Sequence, residues 1–298
     1  MSNDLIPLQV RSRLRELRLT ARRAVGGQGI GLHHSRSRGA GLEFAQYRAY
    51  EPGDELRQID WKLYARSDRF FVREAERESP VAVWLLLDAS ASMTQRERTS
   101  PEHIRLDAAK SLAACIAELA LRQGDRFGLI GLQEDGLRLI PAGGGPRQRD
   151  RLLLELQALS ARGGFPHGDR LNPLWERIGA SDLVVAISDF FDDAALALVE
   201  RLAAAQREVL AIQVLTSDER DFPFNGGHRF RDPETGEELL GDGAALRADY
   251  LQRFAAAQRT LHARLDASGI RHAQYVMDQA LDLPLRRLFG AHGAAEYA

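Results

Sequence analysis

The chain has 298 residues, 44% of them hydrophobic, with a formal net charge of -2 at pH 7. That is apolar material for one sizeable core and too little net charge to indicate a nucleic-acid or membrane-surface protein. Its single cysteine, Cys115, excludes an internal disulfide and any cysteine metal cluster. The basic residues are 38 Arg with only Lys62 and Lys110. The first eighty residues are net +4 and the remainder net -6, a mild asymmetry that a solvated basic face explains. The histidines show no His-Glu-x-x-His spacing for zinc, and adjacent His33 and His34 read as loop. No signal peptide and no membrane-spanning apolar run is legible, so the expected location is the cytoplasm, with no membrane insertion.

Residues 8–24 place Val10, Leu14, Leu17 and Leu19 among six arginines, which predicts a helix. Gly26-Gly27-Gln28-Gly29-Ile30-Gly31 then looks superficially like a dinucleotide loop. No hydrophobic strand precedes it, so a flexible linker is the better reading. Pro52-Gly53 fits the centre of a type II turn, and Asp54 can cap a short helix bearing Leu56, Ile59 and Leu63 on one face. Arg69 to Glu76 reads as an edge strand.

Val81 to Leu87 is an unbroken apolar run, the pattern of a strand buried on both faces of a sheet. A polar loop ends at Pro101, and a long helix is predicted over 102–122, with Cys115 as one of its small core residues. Strands over 125–133 and 136–141 suggest a hairpin, and helices follow at 147–159 and 171–179. A second buried strand (182–188), a helix (193–206) and a strand (208–215) continue the alternation. Residues 228–240 read as a small hairpin whose turn is Asp232-Pro233-Glu234-Thr235-Gly236. Helix 243–267, strand 270–277 and helix 283–289 complete the chain. The expected class is α/β: a doubly wound, mostly parallel sheet with flanking helices, an N-terminal extension and a small β-hairpin insertion.

The most informative junction is Asp88-Ala89-Ser90-Ala91-Ser92, which leaves the C-terminal end of the first buried strand. In open α/β sheets that edge is where ligands bind. One carboxylate and two hydroxyls at spacing two suit a hard cation, Mg²⁺ or Mn²⁺. The bland alternative is helix capping by Asp and Ser. Asp189 ends the second buried strand and belongs on the same edge, which favours a site. A metal-assisted hydrolase, for example a phosphoesterase, is the competing reading of the same acidic edge. No second Asp two residues beyond Asp88 and no Gly-x-Ser-x-Gly elbow supports it.

Most of the chain, from about residue 26 to 289, resembles the bacterial family known as domain of unknown function 58, whose core is von Willebrand factor A-like. The most specific match is the stretch containing Arg48, Tyr50, Pro52, Gly53, Asp54, Arg57, Asp60, Trp61 and Arg66. Asp88-x-Ser90-x-Ser92 with Asp189, and the Asp232–Gly236 turn with Tyr250, carry the rest. The resemblance implies a non-catalytic binding module with a metal-ion-dependent adhesion-like site, partnering a AAA+ ATPase of the MoxR type in chaperone-like assembly or stress functions. It also implies a third loop at the site, where a Thr in the family pattern is Asp169 here, followed by Arg170. Asp169 is then an expected ligand beside Asp88, Ser90, Ser92 and Asp189, and Arg170 an alternative partner of the carboxylates in place of metal.

The implied organisation is a basic N-terminal helix or tail (1–25), a signature segment packed on the core (26–80) and the A-like domain (81–290). For the signature, a structural clasp with Trp61 packed inside stands against a partner surface.

Overall fold

The computed structural model describes residues 5–19, 44–50, 59–75 and 82–290. The chain divides into two compact units, one of residues 29–80 and the other of residues 1–28 with 81–298.

In the larger unit, α1 (Leu8–Arg13) passes into a single 3-10 turn, Leu14–Glu16, and the backbone is extended at Leu17. The helix expected through residue 24 therefore ends early. Leu19 exchanges two hydrogen bonds with the Gln123 side chain, at 2.7 and 3.0 Å, so tertiary contacts replace helical ones. Ile6, Val10, Leu14, Leu17 and Leu19 all enter the core.

The smaller unit contains β1 (Phe44–Ala49), α2 (Trp61–Ser67) and β2 (Phe71–Ala75), the two strands antiparallel to each other. The strand expected near 69–76 thus pairs with β1 in its own two-stranded sheet. Asp60 caps α2: its Oδ1 accepts from the amides of Lys62 and Leu63 at 2.9 and 3.1 Å. Trp61, expected to be packed inside, is 59% exposed. It meets Tyr64 and Phe70 edge-on, while those two rings stack at 4.4 Å and Tyr50 approaches Phe70 at 6.2 Å. None of the seven residues of α2 is buried; the buried apolar residue is Ile59, two positions before the helix (6% exposed). Arg66 is exposed. Pro52, Gly53, Asp54 and Arg57, the side chain of Arg48, the glycine-rich segment 26–31, and His33 and His34 lie outside the described residues.

The central sheet of the larger unit begins with β3 (Ala82–Asp88), buried at every position. A short ribbon follows, β4 (Arg96–Glu97) with β5 (Ser100–Ile104), in the stretch expected as loop. Then come α3 (Arg105–Gln123), ended by Gly124 at φ 80°, and the hairpin β6 (Arg126–Gln133) with β7 (Gly136–Gly143). Next are α4 (Pro146–Ala158), α5 (Asn172–Arg177), β8 (Leu183–Ser188), α6 (Asp193–Ala204) and β9 (Glu208–Leu215). A five-residue helix, α7 (Ser217–Asp221), leads to the hairpin β10 (Gly227–Arg231) and β11 (Glu238–Asp242). Helix α8 (Gly243–Ala267), β12 (Arg271–Val276) and α9 (Leu283–Phe289) finish the unit.

Six strands form the sheet in the order β12-β9-β8-β3-β6-β7, parallel except for β7 at one edge. This is the expected α/β class, a mostly parallel sheet with flanking helices. Alternation along β3 divides the core. Val83, Leu85 and Leu87 face a cluster with α3, α4 and α9, while Ala82, Trp84 and Leu86 face one with α5, α6 and α8. From β3 the chain first builds β6 and β7 on one side, then β8, β9 and β12 on the other. The order reverses between β3 and β8, which is where an open α/β sheet leaves a crevice beyond its strand ends. Among the described residues no helix is long and apolar enough to cross a membrane.

Candidate functional site at the strand ends

Because β3 and β8 run parallel with Leu87 opposite Ile187, Asp88 and Ser188 emerge side by side. Asp88 is 2% exposed. Its Oδ2 accepts from the Ser188 hydroxyl at 2.6 Å, and its Oδ1 from the Ser90 amide at 2.9 Å. The Ser90 and Ser92 hydroxyls stand 3.0 Å apart. The loop carrying them is held by Ala91 N donating to Gly163 O (2.7 Å), by Arg162 N donating to Ala89 O (2.9 Å), and by fully buried Met93.

Asp189, also 2% exposed, is turned by Phe190, whose φ of 55° is the left-handed conformation that a bulky residue seldom adopts. Its Oδ1 accepts from the Phe191 amide at 3.1 Å and its Oδ2 from Arg105 Nη1 at 2.5 Å. Arg105, at the first position of α3, is completely buried. Nη1 also approaches the Ser92 carbonyl (3.3 Å), Nη2 donates to Glu219, and the guanidinium lies 5.5 Å from the Phe191 ring centre. Its Nε is buried with no hydrogen-bond partner among the described residues. Glu219 is itself fixed in the capping box of α7, accepting from the Thr216 amide at 2.8 Å. Buried Glu97 of the β4–β5 ribbon ties to the same helix through the Ser217 amide and hydroxyl.

Four of the expected site residues, Asp88, Ser90, Ser92 and Asp189, therefore gather at one place. Asp169 does not join them. It is exposed, and its Oδ1 accepts from the Asn172 amide group at 3.3 Å. Among the described residues no group of three His, Cys, Asp or Glu side chains is close enough to hold a metal ion. Nor does Arg170 pair with the carboxylates: its Nη1 donates to the Glu134 carbonyl at 2.5 Å. The internal cation is Arg105, which sequence reasoning missed. The available signal was weak: a basic residue in the first turn of a helix opposes the helix dipole, so it needs a reason to be there.

The electrostatics set the two carboxylates apart. Burial, and then the charge of Asp189, push the Asp88 carboxyl up to about 6, against the lowering effect of the Ser188 and Ser90 hydrogen bonds. Asp189 has a guanidinium in contact; among the described residues Asp88 has only hydroxyls and an amide. A buried carboxylate beside a second one, with two hydroxyls at hand, is a donor set that a hard divalent cation fits. Asp88, Ser90 and Ser92 would hold it. Asp189, held in an ion pair by the Arg105 guanidinium, would act from behind them through water.

An α/β sheet with a buried, oxygen-rich cluster at its topological switch point defines the class. The chain belongs to the family described as "Protein of unknown function DUF58", whose model matches residues 46–260. Similar proteins include uncharacterized protein Rv1480 of Mycobacterium tuberculosis and uncharacterized protein Mb1516 of Mycobacterium bovis. Each is 29% identical over 269 residues, covering 89% of this chain and 83% of the relative. Among solved structures, the SpRpn10 VWA domain is 16% identical at a TM-score of 0.41, covering 69% of this chain and 93% of that one. BatB, a conserved hypothetical protein from Bacteroides thetaiotaomicron, is 14% identical at a TM-score of 0.37, covering 63% and 98%.

Proposed function

We propose that this protein is a non-catalytic, protein-binding adaptor of the von Willebrand factor A type. In this reading the strand-end loops bind Mg²⁺ or Mn²⁺ through Asp88, Ser90 and Ser92 and use it to engage a carboxylate of a partner. The partner class is a AAA+ ATPase of the MoxR type, and the setting is cytoplasmic. The observation that carries the reading is the pairing of an under-compensated buried carboxylate with two hydroxyls 3.0 Å apart at the sheet's switch point. The hydroxyls hydrogen-bond each other, an arrangement suited to coordination.

The test is binding of the full chain to a MoxR-type ATPase from the same organism, followed by interferometry with and without EDTA. The reading requires that EDTA and the Ser92→Ala substitution both weaken the complex while circular dichroism is unchanged. A complex indifferent to both treatments would move the contact away from the strand ends.

A further inference from the structure

The rings of the smaller unit form a platform that the backbone holds in place. The Asp60 amide donates to the Phe71 carbonyl and the Tyr50 amide to the Phe70 carbonyl, both at 2.9 Å. Asp68, at φ 52°, ends α2 in the left-handed conformation that Asp tolerates, and its amide donates to the Tyr64 carbonyl at 2.8 Å. These bonds return Phe70 onto Tyr64, so that the two rings stack with their planes 9° apart. Trp61 stands across the pair, at 83° to Tyr64 and 88° to Phe70. Yet Trp61 is 59% exposed and Phe70 44%. A single exposed apolar side chain needs no explanation, but a fixed, contiguous pair of large ones marks a contact surface.

The charges around these rings are mostly of one sign. Lys62, Arg66 and Arg69 are exposed, and within 59–71 the one exposed carboxylate is Asp68. Among the described residues none of the three cations forms an ion pair. Lys62 and Arg66 sit four apart on α2, where like charges weaken the helix that carries them. Aromatic rings beside arginines are the composition of binding hot spots, and uncompensated cations select an acidic occupant. A nucleic acid would satisfy the charges too. Base stacking needs free ring faces, however, and Tyr64 and Phe70 already turn a face to each other.

We propose that this platform docks an acidic segment of a partner protein. An apolar side chain of that segment covers Trp61 and Phe70, and its carboxylates pair with Lys62, Arg66 and Arg69. The rings are fixed before binding, so little ordering is needed to receive it. The surface belongs to the smaller unit, and the inference stands apart from the reading of the strand ends. Salt should weaken the charged part of the contact and leave the apolar part in place.

The test titrates the full chain into short, dye-labelled synthetic peptides and reads fluorescence anisotropy. The probes are a Glu-rich peptide with a central Leu-Phe pair, the same peptide with Ser-Ser at its centre, a Lys-rich version of the first, and oligo-dT. The Glu-rich Leu-Phe peptide should bind at least roughly tenfold tighter than each of the others, and Trp61→Ala should weaken it by about tenfold, the scale of a hot-spot residue. The Lys62→Glu, Arg66→Glu double variant changes two exposed side chains and should turn the preference to the Lys-rich peptide. Binding by no peptide, equal binding of acidic and basic peptides, or an affinity unchanged in both variants would refute the docking site. Tighter binding of oligo-dT would make the occupant a nucleic acid and overturn the proposal. Self-association of the wild type that Trp61→Ala abolishes, read by sedimentation, would overturn it in favour of a second copy of this chain.

Discussion

Among the described residues two arginines are buried, one at each edge of the sheet, and they differ in what surrounds them. Arg271, 7% exposed, starts β12, and its Nη2 donates at 2.9 Å to Glu208, which starts the neighbouring β9. Its Nη1 approaches the Leu288 carbonyl at 3.3 Å. Both charges there ride on adjacent parallel strands, so the pairing comes with the sheet register. Arg105 is wholly buried at the opposite edge, and its carboxylates come from the loop after β8 and from α7 after β9. Asp88, Asp189 and Glu219 all lie near that edge, and Arg105 is the guanidinium that pairs with two of them. The strand-start edge is neutralised by its own fold; the strand-finish edge keeps a surplus of negative charge. That surplus separates a structural ion pair from a site that wants a cation.

The contrast breaks most visibly by removing each guanidinium. Arg105→Met strands two carboxylates and should cost about 3–5 kcal/mol, and Arg271→Met a similar amount, as for other broken buried pairs. Urea unfolding with Mn²⁺ present should recover part of the loss in the first variant and none in the second. Equal responses would erase the distinction between the two edges.

A smaller effect of opposite sign is expected at Asp88. Asn there can still accept from the Ser90 amide, and it removes a charge that burial and Asp189 both disfavour. Asp88→Asn should therefore stabilise the metal-free protein by about 1–2 kcal/mol and lose any Mn²⁺-dependent gain in melting temperature. A destabilised variant that still gains from Mn²⁺ would contradict the assignment.

The smallest effect belongs to the unit of residues 29–80. Trp61 is 59% exposed and makes edge contacts to two rings. Trp61→Ala should cost no more than about 1.5 kcal/mol, the scale of aromatic pairs, rather than the cost of an emptied core position. A denaturant midpoint that falls by much more would show the indole to be packed in solution.

How much of this was legible in the sequence follows from the range of the forces involved. Strands β3 and β8 could be read because a strand covered on both faces must be apolar throughout. Helix α8 matched residue for residue, 243–267, with Asp242 as its cap. The β4–β5 ribbon and α7 could not be read. They are short and polar, and they form because Glu97 and Glu219 find partners far along the chain.

The same division runs through the site. Asp88, Ser90, Ser92 and Asp189 were found from their place at strand ends, which is a local property. Asp169 was placed by family pattern alone, and its loop carries it elsewhere. Arg105 pairs with residues 84 and 114 positions away, and no local pattern encodes such a contact. Trp61 failed for a related reason: a short amphipathic stripe does not say which of its members the rest of the unit will cover.

The central claim is that the strand-end hydroxyls and Asp88 hold a divalent cation. Isothermal calorimetry with Mn²⁺ on the full chain tests it most directly, comparing the wild type with Asp88→Ala and with the Ser90→Ala, Ser92→Ala double variant. The account predicts saturable binding at a single site in the wild type, loss of that binding in Asp88→Ala, and at least roughly tenfold weaker binding in the double variant, about 1.4 kcal/mol. Equal heats in all three proteins, or none in the wild type, would contradict it.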